Sequence, residues 1–518
     1  MSTRADLLVS ISEIADLAGV GRPAVSNWRK RHVDFPAPRV QAAAGALFSL
    51  DEVERWLIEE EKIDGPIPPA RIVRQLADAA RGSMPPAEWS RFLTACLVYL
   101  EACRRAAAGS TEVSVAPHHR WDAIREAEAR RLHDQLIGAA SAIEKSTPAL
   151  RGLLLTSLDQ VPRPEPERLR GLLDTLRSAA IDEWGGYVDL YEDLVARDDP
   201  ADRSQVQSST PDSVAQLVVD LAPPADSIVD LASGEGGLLL LAALHRDASE
   251  TPVLTGYEIN EDVHRAARSR FFLYDVRADL RLADVFRVPA TELPKADLVV
   301  MNPPFGLSKW GDAAIYQAEQ WQFGSPSPSS AEFAWPQLAI WCLRPGGTAI
   351  VVMPPSAAFR GTRDAKIRSA MLEAGVIEAV IALPSRVFLS TAIAPHLWIL
   401  RADRRPDDAV LMVNASRLGE ASRSQTLLSQ SDIDKVVEVV VTWRNRRTVD
   451  DAAPLFARAV ELSEIIEGDL TPGRYDPGPE VDLDALRDRA AELRRSIEGR
   501  SSTALAALNG VLHAESTH

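Results

Sequence analysis

Between residues 205 and about 405, short β-branched apolar runs alternate with stretches of helical spacing. The runs fall at 227–231, 253–258, 298–301, 348–353, 376–383 and 396–400. That alternation predicts a parallel α/β sheet with helices on both faces. Residues 70 to about 200 instead repeat apolar positions at helical spacing, in Phe92-Leu-Thr-Ala-Cys-Leu-Val-Tyr-Leu100 and again around 153–158. An all-helical domain is expected there, its stripes forming core or docking faces and carrying no chemistry. Beyond Asp407 the pattern weakens. An accessory segment, 406–475, holds one expected helix that takes in Val436 to Val441 and ends near Trp443-Arg-Asn-Arg-Arg447. Residues 480–518 read as a terminal helix or helix pair with a packing face.

Residues 1–62 form a separate pattern. Ser12 is the expected cap of a helix through Leu17, Gly19-Val20-Gly21 a turn, and Arg22 to about Arg31 a second helix opened by Pro23. Phe35-Pro-Ala-Pro and Leu47-Phe48 suit a short wing, and Ser49 or Asp51 a cap for a third helix over 52–59. This order resembles a small winged helix-turn-helix of the excisionase or MerR-like kind. Arg22, Arg29, Lys30, Arg31 and Arg39 stand there against one acid, Asp34. Arg22, Ser26, Asn27, Arg29, Lys30 and Arg31 are the candidates for DNA contact. The alternative is a protein-docking module with a solvated basic face.

Composition narrows the setting. A chain of 518 residues needs two to four cores. Its net charge of −17 lacks the basic balance of a protein that grips DNA alone, so the grip is local or supplied by a partner. No apolar run approaches a membrane span, and Met1-Ser-Thr-Arg-Ala-Asp lacks the layout of a signal peptide. Cys96, Cys103 and Cys342 make neither a zinc site nor a disulfide framework; they suit a reducing cytoplasm, and no metal is expected.

Chemistry concentrates at four strand ends. Asp230-Leu-Ala-Ser-Gly-Glu-Gly-Gly237 runs from a strand into a glycine-rich turn, where Gly234, Gly236 and Gly237 allow close approach of backbone to a ligand. Glu258 ends the next strand, where an acid bridges ribose hydroxyls in nucleotide-binding sheets. Asp284, expected to end a third short strand, can accept from an adenine amino group. Asn302-Pro303-Pro304-Phe305 follows the run 296–301. Each proline fixes its own φ and biases the residue before it to an extended form. The Asn302 amide and the Pro303 carbonyl then offer two acceptors beside an aromatic face, which suits a flipped-out adenine. Taken singly, each acid is as well read as a plain strand-end polar residue. Trp310, Tyr316, Trp321 and Phe323, just downstream, suit either a surface enclosing such a base or core.

From about 208 to 403 the chain resembles the N6-adenine DNA methyltransferases, most closely the modification subunit of type I restriction–modification systems. The resemblance rests on Thr210-Pro211, the glycine loop, Glu258, Asp284 with Phe286, Asn302 to Phe305, and on Ser330-Ala-Glu-Phe-Ala334, Leu343-Arg-Pro-Gly-Gly-Thr348, Ile367-Arg368 and Leu470-Thr-Pro-Gly-Arg-Tyr475. It implies a Rossmann-like S-adenosylmethionine-dependent methyltransferase sheet behind the helical domain and the helix-turn-helix. It also implies S-adenosylmethionine as cofactor, held by Thr210, Pro211, Asp230, Ala232, Gly234, Gly236, Glu258, Asp284 and Phe286. Asn302, Pro303, Pro304 and Phe305 become the catalytic residues. Double-stranded DNA, a specificity subunit and a restriction subunit become the partners, in a homodimer or hetero-oligomer. Leu231, Ser233 and Glu235 depart from the family's Asp-Pro-x-Cys-Gly-Ser-Gly pattern, which sets Glu235 against the cofactor's carboxylate or beside its amino group. Two other readings stay open: a non-catalytic DNA-binding regulator with a cofactor-binding scaffold, and the same chemistry on RNA or protein.

Overall fold

The computed structural model describes residues 8–42, 45–65, 67, 86–159, 166–182, 186–194, 210–245, 252–361, 363–388, 393–402, 409–422, 425–447, 449, 456–476 and 494. The expected terminal helices over 480–518 lie outside these residues apart from 494, as do the expected boundaries at 70 and 200–205.

In the N-terminal part, β1 (Leu8–Ser10) leads into a helix, Ile11–Ala18, and a second helix, Arg22–Arg31. β2 (Val40–Ala42) and β3 (Gly45–Ser49) form a hairpin before a third helix, Leu50–Glu59. The strands order as β1-β3-β2. Ser10, not Ser12, caps the first helix. Its backbone N–H donates to the Glu13 carboxylate at 2.6 Å while its hydroxyl accepts from the Glu13 N–H. Such a reciprocal box needs an acid or amide three residues on; Ser10 has Glu13, whereas Ser12 faces Ala15. Gly19 closes the helix at φ 70°, a conformation open to glycine.

Helices Pro86–Ala107, Trp121–Ile124, Ala129–Ser146, Leu155–Asp159, Pro166–Asp182 and Tyr187–Leu194 follow, with no strand among the described residues between them. Their apolar stripes, including Phe92, Cys96, Leu97 and Leu136, share one core with Ile14, Val25 and Trp56 of the N-terminal part.

The central sheet holds β4 (Ser227–Asp230), β5 (Val253–Glu258), β6 (Asp279–Leu282), β7 (Ala296–Met301), β8 (Leu343–Met353), β9 (Ile377–Ala382), β10 (His396–Arg401), β11 (Val410–Asn414) and, after a small hairpin of β12 (Glu420–Ala421) and β13 (Thr426–Leu427), β14 (Phe456–Val460). Their order is β14-β11-β9-β10-β8-β7-β4-β5-β6. Strands from β6 to β8 run parallel. β10, however, is antiparallel to both β8 and β9, and β14 is antiparallel to β11. The sheet is therefore mixed, not parallel. β9 reaches β10 through 383–395, which carries no helix among its described residues, and without a crossover only a reversed neighbour is accessible.

Nor does the sheet stop near 405. β11 pairs parallel with β9, placing Leu411 opposite Ala379, and the helix Gln430–Arg446 packs beneath it. The described strands and helix of the 406–475 segment thus belong to the sheet's own layer structure. Alternation along each strand feeds two cores. Ile350 and Val352 join Leu298 and Val300 under the helices Asp212–Leu221 and Gln430–Arg446. Ala349, Val351 and Met353 join Val299 and Met301 under Ala334–Trp341 and Arg363–Glu373.

From β4 the chain winds outward to β5 and β6, then returns to β7 on the other side of β4. This reversal of order opens a crevice at the carboxyl ends of β4 and β7, where ligands bind in open α/β sheets. Among the described residues, no helix is long and apolar enough to cross a membrane.

Candidate functional site

Asp230 closes β4 with its side chain 2% exposed, accepting the Ala232 N–H at 3.0 Å. Burial pushes its pKa up to about 7; the charge of Glu258 adds to the rise and the Ala232 N–H opposes it. The turn that follows needs its glycines. Gly234 lies at φ 54° and looks onto open space, whereas a Cβ on Gly236, at φ 75°, would meet the Phe271 ring at 2.5 Å. Glu258, at the end of β5, accepts the Gly234 N–H at 3.1 Å and the Asn260 N–H at 2.7 Å. The glycine turn and this acid are thereby tied together.

Asp284 lies two residues beyond β6 and does not end it. It caps a short 3-10 turn, accepting the Phe286 N–H at 3.1 Å and pairing with Arg287 at 3.2 Å. Asp is a favoured cap because its short side chain reaches free N–H groups. The Phe286 ring is core, 4.7 Å from Trp310 and 4.4 Å from Trp335. Of the four downstream aromatics, Trp310 and Trp321 are buried, and Tyr316 and Phe323 pack half-buried against the same core. Their polar atoms are satisfied internally: Trp310 donates to the Ser327 carbonyl at 2.9 Å, Trp321 to Ile315 at 2.6 Å, and Tyr316 to Gly311 at 2.7 Å. Trp310 and Trp321 are therefore core, and Tyr316 and Phe323 pack partly against it.

Asn302 follows the last residue of β7 and is 8% exposed. Its Nδ2 donates to the Thr210 hydroxyl at 3.1 Å. Thr210 precedes Pro211, the N-cap of the helix Asp212–Leu221. Pro303 is buried, Pro304 exposed and Phe305 half-buried. Gly306 turns the chain at φ 70° and gives its N–H to the buried Glu332 at 3.3 Å, which in turn meets Arg360 at 3.3 Å.

Residues beyond the sequence-based set shape the opposite wall. Arg368 is 2% exposed and donates to the carbonyls of Gly468 at 2.6 Å, Arg360 at 2.9 Å and Ala357 at 3.2 Å. One guanidinium thus joins the loop after β8 to the late segment, where the Leu470 N–H also reaches the Ala358 carbonyl at 2.9 Å. Its only signal in the sequence was the family-like Ile367-Arg368 pair. His396 begins β10 opposite Met353 and Ala382, and burial pushes its pKa down to about 4.

Helices of the 86–194 segment brace the helix that follows β5. Glu192 pairs with Arg270 at 2.9 Å and accepts from the Tyr274 hydroxyl at 3.0 Å. Arg105 donates to the Phe272 carbonyl at 2.6 Å. Arg268 donates to the carbonyls of Arg151 and Ala149, both at 2.9 Å. All these contacts fall on or just after the helix Glu261–Leu273 that follows Glu258. Burial first, and the charge of Glu235 second, raise the pKa of the Tyr191 phenol, so Glu235 sits close to this domain.

The N-terminal candidates belong to a different core from the sheet. Val25 is buried and Trp28 lies 5.8 Å from Trp56, which leaves Arg22, Asn27, Arg29, Lys30 and Arg31 exposed and Ser26 half-buried. Arg29 also lies 5.5 Å over the Phe48 ring. Arg39 is ion-paired with Glu52, so the local basic density is lower than the sequence alone suggests.

Residues 186–482 match the N-6 DNA methylase family. The chain is 27% identical over 298 residues to the methylase subunit of the type I restriction enzyme HindI from Haemophilus influenzae, covering 55% of this chain and 67% of that one. It is 26% identical over 338 residues to the MpnII methylase subunit from Mycoplasma pneumoniae, covering 60% and 61%. The chain therefore spans roughly three fifths to two thirds of these relatives' length. Its fold is similar to that of a type I restriction–modification methyltransferase subunit from Streptococcus thermophilus, with a TM-score of 0.64, 21% identity, and 78% of this chain and 98% of that one covered. With more than half of its length matched, the chain belongs to the N-6 DNA methylase family.

Proposed function

We propose that this protein transfers a methyl group from S-adenosylmethionine to the N6 amino group of adenine in DNA. It acts as the modification subunit of a restriction–modification or phage-defence system. The observation that supports this reading best is Asn302, buried beside the crevice that Asp230, Gly234 and Glu258 line from the other side.

The residues suit the cofactor. Open space over Gly234 leaves room for a ligand against bare backbone, and Asp230 is a buried carboxylate able to meet a charged amino group. In this reading Glu258 takes the ribose hydroxyls and Asp284 an adenine amino group, with Thr210, Pro211, Ala232, Gly236 and Phe286 completing the set. When bound, the cofactor supplies an electrophilic methyl group on a sulfonium leaving group.

The target nitrogen is a poor nucleophile because its lone pair is delocalised into the ring. Asn302 Oδ1 and the Pro303 carbonyl accept hydrogen bonds from its two N–H groups and favour a tetrahedral nitrogen with the pair free; once that pair takes the methyl and the sulfonium leaves as a thioether, the nitrogen sheds one proton to water. Catalysis then comes from positioning and electrostatic complementarity. Phe305 stacks on the flipped base, a contact worth about 1–3 kcal/mol, which offsets part of the few kcal/mol that flipping costs. Arg22, Ser26, Asn27, Arg29, Lys30 and Arg31 contact DNA through a winged helix-turn-helix. A specificity subunit and a restriction subunit complete the cytoplasmic assembly.

The test is methyl-group transfer from labelled S-adenosylmethionine to duplex DNA, with companion subunits supplied. Label on adenine N6 that vanishes with Asn302→Ala upholds the reading. Unlabelled DNA, or undiminished labelling by Asn302→Ala, overturns it.

A further inference from the structure

A carboxamide is ambiguous at its tip. Half a turn about its last torsion exchanges the carbonyl oxygen with the amino group, and that torsion is broad and two-fold. For Asn302 the exchange is decisive: an amino group facing the target amine would set donor against donor. The side chain therefore needs a partner that claims its nitrogen.

We infer that Thr210 is that partner, a positioning residue that holds the Asn302 amide with Oδ1 turned toward the substrate. This rests on the methyl-transfer reading above and goes beyond the cofactor contact that the family resemblance gives Thr210. The Asn302 Nδ2 donates to Thr210 Oγ1 at 3.1 Å, and the pair is 92 residues apart in sequence. With its nitrogen engaged there, the amide keeps its oxygen for the substrate.

Thr210 stands on a rigid base. The next residue, Pro211, accepts the Val214 and Ala215 N–H groups at 2.9 Å each, fixing the helix start. Val214, Leu217 and Val218 then bury that helix in the core shared with Ile228 of β4 and Leu298 and Val300 of β7. The hydroxyl is thus carried on the same packed layer as the strand that delivers Asn302. Threonine is also stiff at χ1, so its oxygen wanders less than a serine's.

The experiment compares Thr210→Val and Thr210→Ser in the full chain with its companion subunits. Two quantities are read: the single-turnover methyl-transfer rate at saturating S-adenosylmethionine, and the calorimetric affinity for that cofactor. With cofactor saturating, Thr210→Val is expected to slow transfer by about 10- to 100-fold, the scale of a small misplacement at a reacting centre, whatever affinity for the cofactor it also loses. Thr210→Ser, which keeps the acceptor, is expected within about fivefold of the parent rate. Saturable cofactor binding by the valine variant also shows that it is folded.

A valine variant that recovers the full rate once cofactor saturates, after a large loss of cofactor affinity, makes Thr210 a cofactor ligand only and overturns the inference. So does an unchanged rate in both variants, or a serine variant as slow as valine. A parent protein that methylates no DNA overturns the methyl-transfer reading itself and takes this inference with it.

Discussion

The two flanks of Asn302 are built on opposite plans. On the β4–β5 side the wall is backbone: a glycine turn with positive φ at Gly234 and Gly236, open space over Gly234, and Glu258 engaging two main-chain N–H groups. On the β8–β9 side the wall is side chain: Glu332 on the Gly306 N–H, Arg368 on three carbonyls, and His396 buried between strands. The first flank makes room for a ligand by leaving atoms out. The second is filled by side chains that hydrogen-bond to its loop backbone. On the proposed methyl-transfer reading, the open flank takes the cofactor and the filled flank holds the base.

Asn302→Ala gives the largest expected effect. Methyl transfer should fall by about 100- to 1,000-fold or more, the scale of removing one preorganised polar contact, while cofactor affinity stays within about threefold. Equal losses of rate and affinity would erase the distinction between the flanks. Arg368→Met comes next. It strands three carbonyls and removes a buried charge, so urea unfolding should register a loss of about 3–5 kcal/mol. Cofactor affinity of the protein that remains folded should hardly move; a tenfold drop would show that the filled flank also shapes the open one.

Gly236→Ala probes the other side. The 2.5 Å approach to Phe271 and the φ of 75° should together cost about 1–3 kcal/mol and weaken cofactor binding measured by calorimetry. Normal affinity would mean the turn tolerates a side chain after all.

Acidity separates the flanks further. Asp230 rises from 3.8 to about 7, so its contribution favours the fold fully below pH 3.8 and is lost as pH climbs through 7. His396 falls from 6.5 to about 4, so its contribution is full above pH 6.5 and is lost as pH drops through 4. Asp230→Asn should therefore flatten the neutral limb of a stability–pH curve and His396→Gln the acid limb, each by about 1–3 kcal/mol. If both substitutions alter the same limb, the two flanks do not titrate independently. The smallest effect lies outside both. Replacing Arg29, Lys30 and Arg31 with alanine should lower the salt dependence of DNA affinity by about one unit of slope per residue. The transfer rate at saturating DNA should hold; an unchanged slope would point to the protein-docking reading of that helix.

Strand positions were legible because each buried strand is a short apolar run bounded by polar or turn residues. Asp230, Glu258 and Asn302 could be placed for the same reason: each stands at or just past the carboxyl end of such a run. Strand direction was not legible at β10, since a fully buried run reads alike in both directions and only the connection through 383–395, helix-free in its described residues, decides it. β11 and β14 were missed; they lie beyond the point where the strand–helix alternation fades, with 41 residues between them. Ser10 could have been preferred over Ser12, because Glu13 completes its capping box and Ala15 offers Ser12 nothing. The Thr210–Asn302 and Arg368–Gly468 contacts join positions 92 and 100 residues apart, and no local pattern encodes them.

The parallel pairing of β11 with β9 has a practical consequence for anyone dissecting this protein. A fragment cut near 405 strips β9, all six residues of which are buried, of its outer neighbour. The bared ladder of N–H and C=O groups would invite pairing with a second molecule. A split-protein or fusion design should therefore place its junction after Tyr475, not at the point where the sequence pattern fades.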